Sequence, residues 1–406
     1  MKVYQVGGAV RDKLLGRPIA DRDWVVVGAA PEDLIRLGFR PVGKDFPVFL
    51  HPESQEEYAL ARSERKVAPG YQGFVFDTGP SVTLEDDLRR RDVTINAMAE
   101  DAGGQIIDPY GGRADLERRL LRHVSPAFAE DPVRILRVAR FAARLDFAIA
   151  AETRVLMRRM VAAGEVEALV AERIWAELDK ALGEPQPRRF FETLRDCGAL
   201  ARLFPEIERL FGVPQPPQHH PEIDTGVHTL LVLDQAVRLS PDPRIRFAAL
   251  VHDLGKGLTP PEVLPRHIGH EQRSVALIEA LAARYRIPTD YRDLALVVAR
   301  YHGHCHQALQ LRPDTIERTL RALDALRRPE RLDAFLLACE ADHRGRTGLE
   351  DRPYPQAALL RLCLTAMRAV DPSVSLRQGL TGAALGEALR HQRVQAIAAI
   401  RHAFVG

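Results

Sequence analysis

The chain has 406 residues, of which 46% are hydrophobic and 28% are charged, and its formal net charge is only +2. This composition excludes a disordered or fibrous protein, and a net charge so close to zero means that any nucleic-acid-binding surface has to be local. The sequence shows neither a secretory signal pattern nor an apolar run of membrane-spanning length, so we expect a cytoplasmic protein without a membrane partner. The four cysteines have no paired spacing, which argues against a disulfide framework or a zinc ribbon.

Residues 1–125 contain patterns of both strands and helices. Period-two and β-branched runs predict strands at 3–6, 21–27, 58–62 and 105–107. From Asp131 onward the apolar residues recur at helical spacing, as in "DPVRILRVARFAARL". We therefore predict a head of mixed strands and helices, followed by a long α-helical body.

Clustered prolines in "GVPQPPQHHPEIDTG" (212–226) are incompatible with a helix and indicate a domain boundary. Helical patterns resume directly after this segment. The predicted division of the chain is therefore 1–125 for the head, 126–212 for a first helical region, 225–326 for a second helical domain and 327–406 for a C-terminal helical region.

Two glycines, Gly7 and Gly8, separate the first predicted strand from a helix that begins near Ala9. Glycine allows the backbone to approach a phosphate, the start of a helix offers free N–H groups, and Arg11 adds positive charge. An ordinary Gly-Gly turn explains the same pattern. On its own, this segment is therefore a weak indication of a phosphate site.

Asp21 and Asp23 come directly before the apolar run "WVVVG". Residues two apart in a strand point to the same face, so the two carboxylates would lie side by side and repel each other. Mg²⁺ relieves such repulsion, and its usual ligands are one or two carboxylates together with substrate phosphates. The alternative is a turn in which "ADRD" merely precedes the strand.

These two motifs begin an ordered series of five within about 180 residues, which makes coincidence improbable. The series resembles the class II tRNA nucleotidyltransferases, the CCA-adding enzymes of the polymerase-β-like superfamily. The segments that carry the resemblance are "GGAVRD" with "DRDWVVVG", "LEDDLRRRDVTINAMA" (84–99), "DPYGG" (108–112), "EDPVRILRVARF" (130–141) and "ERIWAEL" (172–178). The resemblance implies an α+β fold, with a polymerase-β-like head that has a small mixed or antiparallel sheet and an all-α body.

The resemblance also implies a reaction: addition and repair of the 3′-terminal CCA of tRNA, without a template, from CTP and ATP with release of pyrophosphate. Asp21 and Asp23 would be the catalytic carboxylates that hold Mg²⁺. A third carboxylate is usual in the superfamily, and Glu57 is the candidate because Glu57, Ala59 and Ala61 alternate along a predicted strand. The alternative is that Glu57 is a solvated edge residue.

The nucleotide-binding residues follow from the same motifs. Gly8, Arg11, Arg91 and Asp92 would contact the triphosphate and sugar, although a solvated basic helix face also explains the arginines. Asp131 and Arg134, at i and i+3 of a predicted helix, would read the edge of the base, and Arg137 and Arg140 would continue that side toward phosphate. Asp131 and Pro132 also fit a simple helix start. The segment 60–79 corresponds to the flexible loop that helps to switch specificity from C to A.

A second group of polar residues lies in the C-terminal half. "VHDLGKG" places His252 and Asp253 at the end of an apolar helical run, and His228, His267 and His270 supply further ligand types. Imidazole and carboxylate together suit a transition metal such as Ni²⁺, Co²⁺, Mn²⁺ or Zn²⁺. The pattern resembles the HD phosphohydrolases and implies metal-dependent phosphodiesterase, phosphatase or nucleotidase activity.

The ligand set of this second group stays incomplete at the sequence level. The family closes its site with a later aspartate, and both Asp293 and Asp342 are candidates. His302, His304 and His306, taken singly, are interpreted as hydrogen-bonded core residues.

The predicted partners are tRNA, ATP and CTP, and the chain is expected to be a monomer or a homodimer. The nearest alternative function is that of a bacterial poly(A) polymerase, which shares the "GGxVRD" and "RRD" motifs. The HD pattern and the complete "EDPVRILR" motif disfavour that alternative. A catalytically inactive RNA-binding protein and an HD signalling hydrolase are two further alternatives, and the paired metal ligands Asp21 and Asp23 argue against the first of them.

Overall fold

The computed structural model describes residues 1–19, 21–42, 48–66, 74–77 and 79–405. The chain divides into two compact units, which are described separately. The N-terminal unit comprises Met1–Ala181 and Arg189–Leu203, and the C-terminal unit comprises Leu182–Arg188 and Phe204–Gly406.

The N-terminal unit is built on a mixed seven-stranded sheet. The strands of the unit are β1 (Lys2–Val6), β2 (Asp23–Val27), β3 (Arg40–Val42), β4 (Val48–Leu50), β5 (Glu57–Leu60), β6 (Ser63–Lys66), β7 (Phe74–Asp77), β8 (Ala99–Glu100), β9 (Ile106–Ile107), β10 (Leu120–Leu121) and β11 (Ala148–Ile149). The order in the large sheet is β3-β4-β5-β2-β1-β8-β9, while β6 pairs with β7 and β10 with β11. The predicted mixed sheet is therefore confirmed.

The helices of this unit follow the first strand and then dominate the chain. They are α1 (Gly8–Leu14), α2 (Pro31–Arg36), α3 (Leu84–Arg89), α4 (Gly112–Glu117), α5 (Val133–Leu145), α6 (Ala151–Ala162), α7 (Ala171–Gly183, whose last two residues belong to the C-terminal unit), α8 (Arg188–Asp196, whose first residue belongs to the C-terminal unit) and α9 (Ala199–Leu203). Short 3-10 helices span Thr94–Asn96, Pro126–Glu130 and Glu165–Ala168.

The register of the sheet fixes where its acidic residues lie. β2 pairs with β1 in antiparallel register, with Val6 opposite Asp23, and with β5 in parallel register, with Asp23 opposite Glu57. Residues that pair across neighbouring strands project from the same face of a sheet. Asp23 and Glu57 therefore lie on one face of two adjacent strands.

The apolar run of β2 is explained by cores on both faces of the sheet. Val25 belongs to a buried cluster with Val6 and Leu88, while Val26 belongs to a second cluster with Phe49. Asp23 shares the face of Val25 because side chains two residues apart point the same way, yet it is exposed because it begins the strand. A buried central strand thus starts with a carboxylate at the surface.

In the part of the C-terminal unit that the structure describes, every regular element is a helix. The helices are α10 (Pro205–Glu208), α11 (Thr225–Leu239), α12 (Pro243–Val251), α13 (His270–Tyr285), α14 (Thr289–His306), α15 (Pro313–Ala322), α16 (Pro329–Arg344), α17 (Pro355–Arg368), α18 (Ser373–Arg377) and α19 (Gly382–Val405), with 3-10 helices at Leu254–Leu258 and Pro261–Val263. The proline-rich segment 212–226, predicted as a break, follows α10, and only its last two residues belong to α11. None of the helices in the described residues is long and apolar enough to cross a membrane.

Two candidate active sites

A cavity of about 370 Å³ adjoins the turn between β1 and α1. Six arginines and three aspartates are among the side chains that line it, so its charge suits a polyanion such as a triphosphate. The complete lining is Gly7, Gly8, Asp23, Arg62, Arg90, Arg91, Asp92, Asn96, Asp131, Val133, Arg134, Arg137 and Arg173. The structure therefore brings together seven of the residues predicted from sequence: Gly8, Asp23, Arg91, Asp92, Asp131, Arg134 and Arg137.

The glycine turn is shaped by the arginine that faces it. Gly7 has φ of +71°, a conformation that residues with a Cβ rarely adopt, and an added Cβ would lie 2.9 Å from Arg91 Nη1. The buried Asp87 carboxylate holds this guanidinium through a 3.2 Å contact with Nη2 and also binds Arg90 at 2.6 Å. Burial alone would raise the pKa of Asp87, but the two arginines outweigh it and lower that pKa. Asp87 therefore fixes the position of the Arg91 guanidinium beside the turn.

A second cleft contains the predicted catalytic carboxylates. It has a volume of about 800 Å³, is lined in part by Asp21, Asp23 and Glu57, and meets the arginine-lined cavity at Asp23. Asp21 lies two residues before β2 rather than within the predicted strand, and all three carboxylates are exposed. The neighbouring Glu56 is held by Trp24, whose Nε1–H donates to it at 3.0 Å.

These oxygen donors fit a divalent cation of the Mg²⁺ type. Among the described residues, Asp21, Asp23 and Glu57 do not form a group whose ligand atoms all lie within 4.8 Å of one another. An open set of this kind suits Mg²⁺, which keeps several waters and shares its coordination between one or two carboxylates and substrate phosphates.

Asp92 and Arg137 form the best-defined ion pair of the cavity. Arg137 Nε donates to Asp92 Oδ2 at 2.7 Å, and the Val93 N–H donates to Asp92 Oδ1 at 2.8 Å. Burial alone would raise the pKa of Asp92, but Arg137 outweighs it and lowers that pKa to about 2. The carboxylate is therefore ionised at every physiological pH and fixes the guanidinium above it.

Asp131 lies just before α5, the helix that carries the other predicted base-reading residue. α5 starts at Val133, whose N–H donates to Asp131 Oδ1 at 3.1 Å, so Asp131 precedes the helix instead of sharing its face with Arg134 as predicted. Arg173 grips the Asp131 carboxylate with two bonds of 3.1 and 2.7 Å. Arg134 donates to the carbonyl oxygens of Ala127 and Arg90, both at 2.6 Å. Both side chains are thus rigidly held at the cavity.

Two predicted nucleotide-binding arginines do not line the cavity, which corrects the prediction of direct contact. Arg11 is only 2% exposed because its guanidinium makes two 2.9 Å bonds to Asp12 and one of 2.7 Å to Asn96 Oδ1. Arg140 is buried against Glu177, to which it donates at 2.7 Å. Arg11 therefore holds the side chain of Asn96, which itself lines the cavity.

Four polar lining residues were not predicted from the sequence, namely Arg62, Arg90, Asn96 and Arg173. Arg90, Asn96 and Arg173 lie inside quoted motifs, so the motifs marked the right segments without indicating which side chains face the cavity. Arg62 belongs to the segment 60–79. Residues 67–73 and 78 of that predicted specificity loop lie outside the described residues.

The second site is a buried cluster of imidazoles and carboxylates in the C-terminal unit. It gathers side chains from five elements that are far apart in sequence. His228 comes from α11, His252 and Asp253 follow α12, His270 begins α13, His302 lies in α14 and Asp342 lies in α16. Overlapping groups of three of these residues have ligand atoms within 4.8 Å of one another.

Four of the imidazoles are oriented in the same way, with Nδ1 directed at a main-chain carbonyl. The distances are 3.0 Å from His228 to Gly345 O, 2.7 Å from His252 to Ala249 O, 2.8 Å from His270 to His267 O, and 3.1 Å from His302 to the carbonyls of Val298 and Ala299. A carbonyl can only accept a hydrogen bond, so Nδ1 carries the proton and Nε2 presents its lone pair. This is the arrangement typical of metal-binding histidines.

The Nε2 atoms converge on the two aspartates. His270 Nε2 lies 3.2 Å from Asp253 Oδ1 and 3.3 Å from His302 Nε2, and His228 Nε2 lies 3.0 Å from Asp342 Oδ1. His252 Nε2 and Asp253 Oδ1 are buried without a hydrogen-bond partner among the described residues. Such a concentration of lone pairs is unfavourable unless a cation lies between them, and imidazole with carboxylate fits a transition metal.

The electrostatics of the cluster also favour a cation. Burial alone would raise the pKa of Asp253 and of Asp342, but the surrounding histidines and Lys256 hold both pKa values well below their usual range. Burial would lower the pKa of His252, but the two aspartates raise it to about 10. The position beside His252 Nε2 therefore strongly attracts a positive charge, whether a proton or a metal ion.

The structure decides three predictions about the members of this cluster. His267 was predicted as a ligand, which is wrong: its Nδ1 bonds Thr259 Oγ1 at 2.7 Å and its Nε2 bonds Pro214 O at 3.1 Å, outside the cluster. Of the two candidates for the later aspartate, Asp342 joins the cluster, whereas Asp293 pairs with Arg292. His302, interpreted as a core residue, is a member of the cluster.

Comparison with known proteins identifies the family of the chain and of its parts. Family models match at residues 3–122 ("Poly A polymerase head domain"), 146–211 ("Probable RNA and SrmB- binding site of polymerase A") and 225–331 ("HD domain"). The multifunctional CCA protein of Thioalkalivibrio sulfidiphilus is 68% identical over 400 residues, which cover 98% of each chain. The chain belongs to the family of multifunctional CCA proteins. It is therefore a nucleotidyltransferase that carries an HD domain, and both parts imply dependence on divalent metal.

Solved structures show the same fold at lower identity. The CCA-adding enzyme of Bacillus stearothermophilus in complex with CTP is 26% identical, with a TM-score of 0.64 over 98% of this chain and 89% of that chain. The Thermotoga maritima CCA-adding enzyme complexed with tRNA is 21% identical, with a TM-score of 0.65 over 100% of this chain and 90% of that chain. The second likeness is one of fold alone.

Proposed function

We propose that the chain builds and repairs the 3′-terminal CCA of tRNA from CTP and ATP, with release of pyrophosphate. The observation that carries this proposal is the arginine-lined cavity, which meets the carboxylate cleft at Asp23. A nucleoside triphosphate in the cavity would have its phosphates directed toward the carboxylates. Family membership supports the choice of tRNA as the acceptor.

The roles of the residues follow from their positions. Arg91 and Arg137 are held by buried carboxylates, so their charges can meet the phosphates without reorganisation. Asp131 and Arg134 offer an acceptor and donors that are fixed beside α5, and we assign them to the edge of the base. Because both are held by protein groups, the same donors and acceptors meet each incoming nucleotide.

Mg²⁺ is the cation that we assign to Asp21 and Asp23, with Glu57 as the third carboxylate. When bound, it would lower the pKa of the attacking hydroxyl and neutralise charge on the leaving pyrophosphate. The protein's own contribution is to keep the three carboxylates in one cleft, which shares Asp23 with the arginine-lined cavity. Exposure of all three leaves room for water and for phosphate oxygens in the remaining coordination positions.

Sequencing of reaction products tests this proposal against the poly(A) polymerase alternative. The purified chain is incubated with Mg²⁺, CTP, ATP and a tRNA that lacks its 3′ CCA. Addition of C, C and A is the expected result, and addition of A alone would favour the alternative. The full-length similarity to multifunctional CCA proteins favours the first outcome, although the matched head model is described by the name of poly(A) polymerase.

A second activity is proposed for the histidine cluster: metal-dependent hydrolysis of phosphate esters, including 2′,3′-cyclic and 2′-phosphates. The observation that favours it is the convergence of four Nε2 lone pairs and two aspartates in the described part of the C-terminal unit. Ni²⁺ or a similar transition metal is the proposed cofactor. The test is hydrolysis of 2′,3′-cyclic AMP by chelator-treated protein after addition of Ni²⁺ or of Mg²⁺, and failure with every transition metal would contradict the proposal.

A further inference from the structure

A fifth imidazole faces the histidine cluster but differs from the other four. His306 lies one turn after His302 at the end of α14, and its Nε2 is 2.6 Å from Asp342 Oδ2. The other oxygen of this carboxylate, Oδ1, faces His228 Nε2 at 3.0 Å. His306 is not in any of the groups of potential ligands found among the described residues.

The difference between His306 and the four ligand histidines is the partner of Nδ1. In His306 this atom lies 3.0 Å from the hydroxyl of Tyr354, whereas the others face carbonyls. The hydroxyl also lies 3.1 Å from Cys305 Sγ and has only one proton to donate. The Asp342 carboxylate oxygen, 2.6 Å from Nε2, can only accept a hydrogen bond, so Nε2 carries the ring proton, and the hydroxyl proton is then directed at the free lone pair of Nδ1, a better acceptor than Cys305 Sγ.

This assignment fixes the tautomer of His306. With Nδ1 accepting from Tyr354, the ring proton resides on Nε2, which then donates to Asp342 Oδ2. The opposite tautomer would set a lone pair against a carboxylate oxygen at 2.6 Å, which is strongly repulsive. In this cluster, a carbonyl at Nδ1 leaves the Nε2 lone pair for a metal, whereas the Tyr354 hydroxyl at Nδ1 of His306 makes Nε2 a hydrogen-bond donor.

We infer that His306 is a positioning residue, which donates Nε2–H to Asp342 and, together with Tyr354, fixes the carboxylate toward the metal. This inference rests on the proposed metal site and deepens it. Tyr354 and His306 are both fixed by their surroundings. Tyr354 is buried, and the main-chain carbonyl of His306 accepts a hydrogen bond from Gln356 Nε2 at 3.1 Å. Ligand carboxylates in metal sites are generally held by such hydrogen bonds, whose loss lowers metal affinity about 10–100-fold.

The test is a Co²⁺ titration of the full-length, metal-depleted protein, with a competing chelator and with the visible absorption of Co²⁺ as readout. His306→Ala should weaken binding about 10–100-fold. His306→Gln places an amide N–H near the original Nε2 and should restore most of the affinity with an unchanged spectrum. Tyr354→Phe should weaken binding less than His306→Ala, since it frees the tautomer but leaves the imidazole.

The controls separate this inference from the metal site itself. His304→Gln alters the same helix, but His304 Nδ1 faces Thr319 Oγ1 outside the cluster, so Co²⁺ binding should not change. His252→Ala gives the loss expected for a true ligand. If His306→Gln loses as much affinity as His252→Ala or alters the spectrum, His306 is a ligand and the inference is wrong.

The remaining outcomes distinguish the positioning role of His306 from the proposed metal site. Binding by every His306 and Tyr354 variant at the wild-type affinity would overturn the positioning role while leaving the metal site intact. Absence of Co²⁺ binding by the wild type would overturn the proposed metal site and this inference with it. Circular dichroism checks the fold, and if His306→Ala is unstable, the comparison of His306→Gln with Tyr354→Phe decides the question.

Discussion

Asp21, Asp23 and Glu57 are exposed in an open cleft, whereas His252, His302 and Asp342 are buried with ligand atoms within 4.8 Å of one another. As proposed metal sites, the first set would leave most coordination positions to water and substrate, whereas the second would supply more of them from the protein. The proposed Mg²⁺ should therefore arrive and leave with the nucleotide, while the proposed transition metal should stay resident. The same chain thus uses carboxylates in two physically different ways.

The largest expected effect breaks the first site alone. Asp23→Asn removes the one carboxylate that lines both the cavity and the cleft, and we expect nucleotide addition to fall by about 10³-fold or more. The measurement is incorporation of labelled CTP into tRNA. Glu32→Gln, a similar change on the exposed face of α2, should have no effect. Retention of activity by Asp23→Asn would exclude Asp23 from metal binding.

The converse change breaks only the second site. His252→Ala removes a buried ligand, so binding of Ni²⁺ or Co²⁺ should weaken by about 100-fold or more, since even the loss of an outer hydrogen bond costs about 10–100-fold. CTP incorporation should stay at the wild-type rate. His267→Gln is the matched control, because both nitrogens of His267 bond outside the cluster. A similar loss of metal in His267→Gln would show that this histidine is a ligand after all.

A third prediction concerns the acid stability of the N-terminal unit. The pKa of Asp92 is about 2 in the folded unit, whereas the ordinary value for an aspartate is 3.8. The ionised Asp92 carboxylate therefore stabilises the folded unit fully above about pH 4, and this stabilisation is lost as the pH falls toward 2. The lost free energy is of the order of 2 kcal/mol. Urea unfolding at several pH values measures it, and Asp92→Asn should remove this part of the pH dependence. Both tryptophans, Trp24 and Trp175, lie in this unit, so their fluorescence reports on it alone.

Much of the fold and of both sites could be predicted because the signals were local. The alternation of apolar residues located β1, β2 and β5 to within about two residues, and the motif order identified the segments that meet at the cavity. What could not be predicted was the direction of individual side chains. Arg11 and Arg91 look equivalent in sequence, but only the fold shows that Arg11 is consumed by Asp12 and Asn96.

The histidine cluster shows the same limit more sharply. His267 and His302 are both histidines near helical segments, and the sequence pattern predicted His267, the wrong one of the two, as a ligand. Whether a histidine can bind a metal depends on the hydrogen-bond partners of its two ring nitrogens. His302 has a carbonyl at Nδ1, which leaves the Nε2 lone pair available, whereas His267 has partners at both nitrogens and has no lone pair left for a metal. Pro214, whose carbonyl bonds His267 Nε2, lies 53 residues away along the chain, so no local sequence pattern could identify it as the partner.

The smallest expected effect sharpens the account of the first site. Arg173→Lys keeps the charge beside Asp131 but replaces a two-bond fork with a single ammonium, so the Asp131 carboxylate can turn about its remaining contact with the Val133 N–H. If Asp131 reads the base, kcat/KM should fall about tenfold, a cost of roughly 1.4 kcal/mol, and unequally for CTP and ATP. Arg154→Lys on the exposed face of α6 should change neither value. An equal loss for both nucleotides would instead mean that Arg173 supports the cavity as a whole, because only a residue that orients base-reading groups can alter the ratio between two triphosphates with identical phosphates and sugars.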